Sequence, residues 1–166
     1  YLVQHNNLNV RQSSSPINLL TLQLQQDFRL GIFNWQNVLT FQKSSKEDII
    51  PVPTFNAYSN LFIRFKIARV LDVDLGVDGR YFTSYYAPEY IPGIGAFGIQ
   101  ETDASRTKIG NYPHLNAYAN FQLQHTRFFI MFTHVNSGAG GKYFYTPHYP
   151  LNQRVLQFGI SWNFFN

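Results

Sequence analysis

The chain has 166 residues, of which 17% are aromatic and only 13% are charged, and its formal net charge is +4. Because an average soluble domain carries about 25% charged residues, amides and hydroxyls must fill many of the polar positions here. The basic residues are scattered and form no run, which argues against a nucleic-acid-binding protein. The absence of Cys excludes disulfides and thiolate metal sites, and no run of about 18 apolar residues is present that could form a transmembrane helix.

Apolar and polar residues alternate with a period of two along most of the chain, which predicts β-strands. In chain order the predicted strands span residues 17–28, 33–43, 60–67, 72–81, 115–123, 127–136 and 155–164. Residues 1–10 add part of a further strand, giving about seven or eight, each close to the roughly 10 residues of a membrane-spanning β-strand. The alternation is weakest in 127–136, because Phe129 and Met131 place apolar side chains on both faces.

The last predicted strand shows the alternation most clearly. Its apolar face contains Phe158 and Trp162, whereas Gln157, Gly159 and Ser161 on the other face carry no charge. A soluble lipocalin-like barrel or a β-sandwich would alternate in the same way with its apolar face inside, so periodicity alone does not separate the two. A polar face in bulk water is normally rich in Lys and Glu. The uncharged polar face therefore favours a barrel whose apolar face contacts lipid.

The connections between the predicted strands alternate between short and long. Short turns fall at residues 28–33, 68–71 and 124–126, and long loops fall at residues 44–56, 85–114 and 137–154. In an up-and-down meander, alternate connections lie at the same end, so the short turns share one rim and the long loops share the other. Short periplasmic turns and long extracellular loops are typical of outer-membrane barrels. The last strand is then expected to end on the periplasmic side.

The whole pattern predicts an all-β protein, an antiparallel up-and-down transmembrane β-barrel with about seven or eight strands in this chain. Residues 1–166 would be a single barrel domain or the C-terminal part of a larger barrel. Since each unpaired backbone group in hydrocarbon costs several kcal/mol, the last strand is expected to pair with the first. Eight strands enclose an interior that side chains fill, so an aqueous pore requires additional strands.

Side chains on the predicted polar face would line the lumen of such a barrel and are the candidates for solute selectivity. They comprise the charged residues Arg64, Lys66, Asp74, Asp78 and Arg80 and the amides Asn116, Asn120, Gln122, Gln157 and Asn163. Two roles stay open for the charges: they set selectivity, or they pair with one another and only stabilise the interior. The predicted lipid-facing and aromatic-girdle residues are Trp35, Phe41, Tyr81, Phe121, Phe158, Trp162 and Phe164.

Three further patterns carry less weight. The segment GIGAFG at residues 93–98 has dinucleotide-binding spacing, but it follows Pro92 within the longest loop, which predicts a flexible glycine-rich loop instead. The His residues show no paired metal-ligand spacing and are expected in loops or at the rims: His5, His114, His125, His134 and His148. No Ser, His and acid stand together on one predicted face, so the sequence predicts no enzyme, no metal site and no cofactor.

Beyond these patterns, several stretches resemble a known family over nearly the whole chain. They are FRLGIFNW at residues 28–35, TFQKSS at 40–45, GRYFTSYYAPEY at 79–90, IGNYPHLNAYANFQL at 109–123, RFFIMFTHVNSG at 127–138, and PHYPLNQR through SWNFFN at 147–166. In this order they resemble the C-terminal part of the putative porin family of Bacteroidota outer membranes. The resemblance implies a larger outer-membrane β-barrel with a transport role, and it carries over no solute, catalytic or binding residue. Many outer-membrane barrels end in an aromatic residue, whereas this chain ends in Asn166.

The leading hypothesis is a porin-like, non-enzymatic barrel in the bacterial outer membrane that lets small polar solutes diffuse passively. A second is a small closed outer-membrane barrel with a structural or partner-binding role through its long extracellular loops, and a third is a soluble ligand-binding barrel. The expected partners are outer-membrane lipid, the barrel-assembly machinery during insertion, and the missing N-terminal part or other outer-membrane chains. Conductance separates the first hypothesis from the second, and detergent dependence separates the third from both.

Overall fold

The arrangement of the strands comes from a computed structural model, which describes residues 2–3, 10–11, 13–100, 106–140 and 143–164. The predicted all-β class is confirmed, since the regular elements in these ranges are β-strands. In chain order they are β1 (Leu2–Val3), β2 (Val10–Arg11), β3 (Leu19–Leu30), β4 (Phe33–Ser44), β5 (Phe55–Ile67), β6 (Leu71–Phe82), β7 (Glu89–Ile91), β8 (Ala96–Gly98), β9 (His114–Leu123), β10 (Thr126–Thr133), β11 (Phe144–Thr146), β12 (Tyr149–Pro150) and β13 (Val155–Trp162). Within the same ranges no helix has the length and hydropathy needed to cross a membrane.

Seven long strands form one antiparallel sheet in the order β3–β4–β5–β6–β9–β10–β13, so each pairs with the next long strand along the chain. This order confirms the predicted up-and-down meander. Short turns follow β3, β5 and β9 at what we call the short-turn end, and long connections follow β4, β6 and β10 at the long-loop end. Between β3 and β4, Gly31 has a φ of 60°, which glycine adopts without strain and which suits a two-residue hairpin turn.

The register divides the sheet into an apolar face and a polar face, because directly paired residues share a face and successive residues along a strand point to opposite faces. The apolar face presents Leu22 and Phe28 of β3, Trp35 and Phe41 of β4, Leu61 and Ile63 of β5, Leu75 and Tyr81 of β6, Ala117 and Phe121 of β9, Phe128, Ile130 and Phe132 of β10, and Phe158, Ile160 and Trp162 of β13. This is the division that the alternation predicts. Phe129 and Met131, which obscure the pattern in the sequence, lie on the polar face.

Two aromatic rings on the polar face lie across glycines of neighbouring strands. Phe129 pairs with Gly159, where an added Cβ would lie 2.6 Å from the Phe129 ring. Tyr118 pairs with Gly76, where an added Cβ would lie 2.7 Å from the Tyr118 ring, and the Tyr118 hydroxyl donates to Asn60 Oδ1 at 2.8 Å. The absence of a side chain at each glycine makes the space that the ring occupies.

The large sheet does not close on itself within the described residues. There β3 pairs with β4 and β13 pairs with β10, so the expected pairing of the last strand with the first is not formed by this chain alone. The strand number gives the physical reason. In an antiparallel meander of seven strands the first and last run in the same direction, so pairing them would break the antiparallel pattern. All residues of β3 are exposed, as expected for a free edge.

The short strands pair locally, outside the large sheet. β1 pairs with β2, so the prediction that residues 1–10 extend the barrel is wrong where that segment is described; residues 1 and 4–9, and with them His5, lie outside the described ranges. β7 pairs with β8, and residues 93–98, predicted as a flexible loop, instead form the turn and second strand of this hairpin, with Gly95 at a φ of 63°. β11 pairs with β12.

The long connections contain much of the buried core. Buried side chains there include Ala87, Ile91, Gln100, Ile109, Tyr112 and His134. The amide nitrogen of Gln100 donates to the backbone oxygens of Ala87 and Thr107 at 2.7 and 2.9 Å, and its oxygen accepts from Thr107 N at 2.7 Å. Thr146 Oγ1 donates to Pro88 O at 2.8 Å and so joins two of the long connections. These loops are packed units, and their packing rests on buried, hydrogen-bonded side chains.

Candidate functional site

Two ion pairs connect β5 and β6 on the polar face. Arg64 lies directly opposite Asp74, and its Nε and Nη2 donate to the two carboxylate oxygens at 2.7 and 2.8 Å. Lys66 lies opposite Asp72, with its Nζ 3.1 Å from the carboxylate. Both pairs are partly exposed, so each contributes at most about 1 kcal/mol to stability. Their larger effect is that the two charges within each pair neutralise each other. Mutual pairing is one of the two roles for these charges that the sequence left open.

Asp78 and Arg80 lie further along β6, toward the long-loop end. Asp78 accepts a hydrogen bond from the amide of Asn116 at 3.0 Å. The Arg80 guanidinium lies 5.6 Å from the centre of the Tyr58 ring, within the range of a cation–π contact. Since Asp78 and Arg80 are two residues apart on one face, each partly offsets the charge of the other.

A recess of about 540 Å³ opens on the polar face near the short-turn end. Its walls are formed by Arg64, Asp72, Asp74, Asn120, Gln122 and Arg127. Asp72, Gln122 and Arg127 are direct cross-strand neighbours on β6, β9 and β10, so the meander places residues that are distant in sequence side by side. Arg127 Nη2 donates to Asn120 Oδ1 at 3.1 Å. The structure thus brings four of the predicted candidates together in one place.

Arg127 and Asp72 complete this recess but are not among the sequence candidates. The aromatic and Met residues at positions 129 and 131 hide the polar face of β10 in the sequence. A signal was nevertheless present, because counting in steps of two from Phe128 puts Arg127 on the face opposite the apolar residues. Asp72 follows from the same count, two residues before Asp74.

The remaining predicted polar-face amides lie away from the recess. Gln157 is on the edge strand β13, where it pairs with Met131. Asn163 follows that strand, and its backbone N–H donates to His125 O at 3.0 Å. The structure does not bring these two amides together with the charged residues of β5 and β6.

The aromatic residues predicted to contact lipid lie on the apolar face. They are Trp35, Phe41, Tyr81, Phe121, Phe158 and Trp162, with Phe164 just beyond β13. Trp35 stacks on Phe28 with ring centres 5.6 Å apart, and its Nε1 donates to Ser59 Oγ at 2.8 Å. Trp162 stacks on Phe164. The indole of Trp35 is thus fixed both by stacking and by a hydrogen bond.

A cluster of rings lies at the long-loop end, on the side of the polar face. His134 is only 1% exposed, and its ring centre is 5.0 Å from that of His114, which pairs with Arg80. The backbone oxygen of Asn152 lies 2.6 Å from His134 Nδ1 and can only accept, so Nδ1 donates to it. Nε2 lies 2.8 Å from the Tyr112 hydroxyl. The Tyr112 hydroxyl also donates to Asn136 O at 3.0 Å, and burial raises the pKa of Tyr112, so this hydroxyl is protonated at neutral pH.

Replacing His134 with Ala is expected to loosen the long loops while the sheet stays folded. The change removes both ring hydrogen bonds, and a buried partner left unsatisfied costs about 1–3 kcal/mol. Protease cleavage within residues 134–154 should therefore become at least about tenfold faster, as measured by limited proteolysis in detergent with mass spectrometry. His125→Ala, an exposed position in the turn after β9, serves as the control and should leave the rate unchanged. Equal rates in both variants would contradict the role given to His134.

The described residues of the polar face provide hydrogen-bond donors and acceptors. Their electric fields are weak, because the ion pairs are partly exposed and neutralised. In this part of the chain no group of three or more His, Asp or Glu side chains is placed to hold a metal ion. Amides, hydroxyls and partly exposed ion pairs can replace water around a polar solute. The arrangement therefore suits contact with dissolved polar molecules.

Comparison with known proteins adds one finding. A protein-family model with the description "Putative porin" matches residues 1–166, the whole chain. No curated protein and no solved structure matches the chain significantly.

Proposed function

We propose, from the premise that the chain belongs to the Putative porin family, that it forms part of the wall of a bacterial outer-membrane β-barrel. The apolar face contacts lipid, the polar face lines the lumen, and small polar solutes diffuse through without covalent chemistry. Family membership supports a porin-like, non-enzymatic protein of the outer membrane. The assignment of the two faces rests on their exposure.

The observation that carries the proposal is the inverted exposure of the two faces in the middle of β5, at residues 60–62. Asn60 and Phe62 on the polar face are 9% and 7% exposed, whereas Leu61 between them is 55% exposed. A soluble barrel or sandwich buries its apolar face, because leaving it in water costs about 25 cal/mol per Å². A packed polar face opposite an exposed apolar face is typical of a barrel in lipid. This inversion disfavours the soluble ligand-binding barrel.

The free edges of the sheet support a larger barrel. β3 and β13 each have one neighbour among the described strands, and unpaired backbone groups are costly in hydrocarbon. Since the two edge strands run in the same direction and bacterial single-chain barrels contain an even number of antiparallel strands, closure needs an odd number of additional strands. The N-terminal part of the same protein supplies them in this proposal, with other outer-membrane chains as the alternative.

The orientation follows from the two ends of the sheet. Long loops are extracellular and short turns periplasmic in outer-membrane barrels, so β13, which follows a long connection, runs toward the periplasm. Outer-membrane lipid covers the apolar face. The barrel-assembly machinery is the expected partner during insertion, because the free edges must be protected until closure.

Single-channel conductance of the full-length protein in a planar bilayer tests this proposal. Stable ion-conducting steps are expected, with heat-modifiable gel migration as the check that the barrel has folded. A folded barrel that inserts into the bilayer but conducts no ions would contradict the proposed diffusion pore.

The structure of the long loops favours one second candidate, a closed barrel whose loops bind a partner. Tyr90 contacts Phe97 and Tyr149 with ring centres 5.5 and 6.0 Å apart, and Phe97 and Tyr145 remain 62% and 74% exposed. Exposed aromatic residues are enriched at binding surfaces. Two results together would favour this candidate. The protein would insert into bilayers without conducting ions, and replacing Phe97 and Tyr145 with Ala would abolish binding of a partner to the extracellular loops.

A further inference from the structure

Arg127, which lines the polar-face recess, differs in its partners from the two nearest cations of β5. Arg64 and Lys66 each lie against a carboxylate of β6. Among the described residues, Arg127 makes no ion pair, and its contact is the neutral oxygen of Asn120 at 3.1 Å. Because Asp74 is paired with Arg64 and Asp72 with Lys66 beside the recess, Arg127 is the recess cation that no carboxylate of the walls contacts directly.

The surroundings of Arg127 leave this charge available. Its cross-strand neighbours are Gln122 on one side and Ser161 on the other, both uncharged. The nearest acid in its row is Asp72, two strands away, which corresponds to about 10 Å between backbones. Arg80, which also makes no ion pair among the described residues, instead lies over the Tyr58 ring and is two residues from Asp78.

We propose that this recess binds singly charged carboxylates, with the guanidinium of Arg127 as the principal contact. A guanidinium presents paired N–H donors that match the two oxygens of a carboxylate, and the amides of Asn120 and Gln122 supply further donors beside it. The volume of about 540 Å³ suits a small organic molecule. Asp72 and Asp74 in the same walls repel a second negative charge, which disfavours phosphate dianions. The proposal rests on the proposed function, since the recess meets solutes only if the polar face lines a lumen.

Reversal potentials of the full-length protein in gradients of potassium acetate test the proposal. We expect a preference for acetate over potassium, and Arg127→Gln should reduce that preference by about tenfold, because one unit charge at about 6 Å in water favours acetate and disfavours potassium by about threefold each. Arg69→Gln is the matched control, because it removes the same charge from the exposed turn between β5 and β6. It should leave the ratio unchanged. If the barrel conducts but neither substitution changes the acetate-to-potassium permeability ratio, the proposed carboxylate site is wrong while the proposed diffusion pore stands.

A second readout does not depend on conductance. Saturation-transfer NMR of the folded full-length protein in detergent, with benzoate as the probe, should show binding that Arg127→Gln reduces at least threefold and Arg69→Gln does not. Binding by a barrel that stays silent in bilayers would support the recess and contradict the pore. Benzoate binding that does not change in Arg127→Gln would contradict the recess.

Discussion

Replacing Phe158 with Arg should lower the free energy of unfolding of the membrane-embedded protein by about 2–4 kcal/mol, the cost of a cation at mid-depth on the lipid face of a barrel. Phe158 lies in the middle of β13 and is 80% exposed on the apolar face. In lipid, the guanidinium at this position would lose its water and gain no hydrogen-bonding partner. The measurement is the denaturant midpoint in lipid vesicles, followed by the gel migration of folded and unfolded protein.

Gln157→Arg is the matched control, since it places the same charge one residue earlier on the opposite face. Its effect should stay within about 0.5 kcal/mol, as for most surface substitutions. Tryptophan placed at each position then separates lipid contact from burial in a protein core. Brominated acyl chains should quench the added fluorescence of Phe158→Trp but not that of Gln157→Trp. The opposite pattern would show that the two faces are assigned the wrong way round.

Replacing Gly76 with Leu is expected to destabilise the sheet by about 2–4 kcal/mol, the sum of overpacking and a lost hydrogen bond. A Cβ at Gly76 would lie 2.7 Å from both the Phe62 Cβ and the Tyr118 ring. Tyr118 can move away only by breaking its hydrogen bond to Asn60, and Phe62 Cβ is fixed to its strand. The same unfolding measurement in vesicles reports the loss.

Gly93→Leu controls for the loss of a glycine in general, because no atom lies within 4 Å of its added Cβ. Its stability should stay close to that of the parent protein. Adding Tyr118→Ala to Gly76→Leu should recover part of the loss, with a coupling of about 0.5–3 kcal/mol. Additive effects in the double variant would mean that the ring does not lie over Gly76.

The strands and their faces could be predicted because a strand has a side-chain period of two and the apolar face is nearly continuous. Closure could not be predicted in the same way, since it depends on the number and direction of all strands in the barrel. Residues 1–10 misled the prediction because a short apolar run is common to barrel strands and to hairpins in loops. Only the pairing of Leu2–Val3 with Val10–Arg11 separates the two.

The ion pairs between β5 and β6 could have been predicted from the sequence, but only with the register of these two strands. The short turn after Ile67 places this residue opposite Leu71, and three steps back along each strand Arg64 meets Asp74. The packing of the long loops could not be predicted from the sequence, because His134 and Gln100 lie in segments where apolar and polar residues show no periodicity. Their burial depends on contacts between loops, which no local pattern records.

The strand order also affects how the sheet forms. Every long strand pairs with a strand that is adjacent to it in the sequence of long strands, so each pairing closes a single connection. The entropic cost of closure rises by only about 0.6 kcal/mol per doubling of loop length, and it is smallest for the hairpins at Gly31 and Gln124. Pairing of the long strands can therefore start at the hairpins with short turns and extend to the next strand along the chain. No step requires a contact between strands that are distant in sequence. The outer edges of β3 and β13 are the two places where further strands can pair with this sheet.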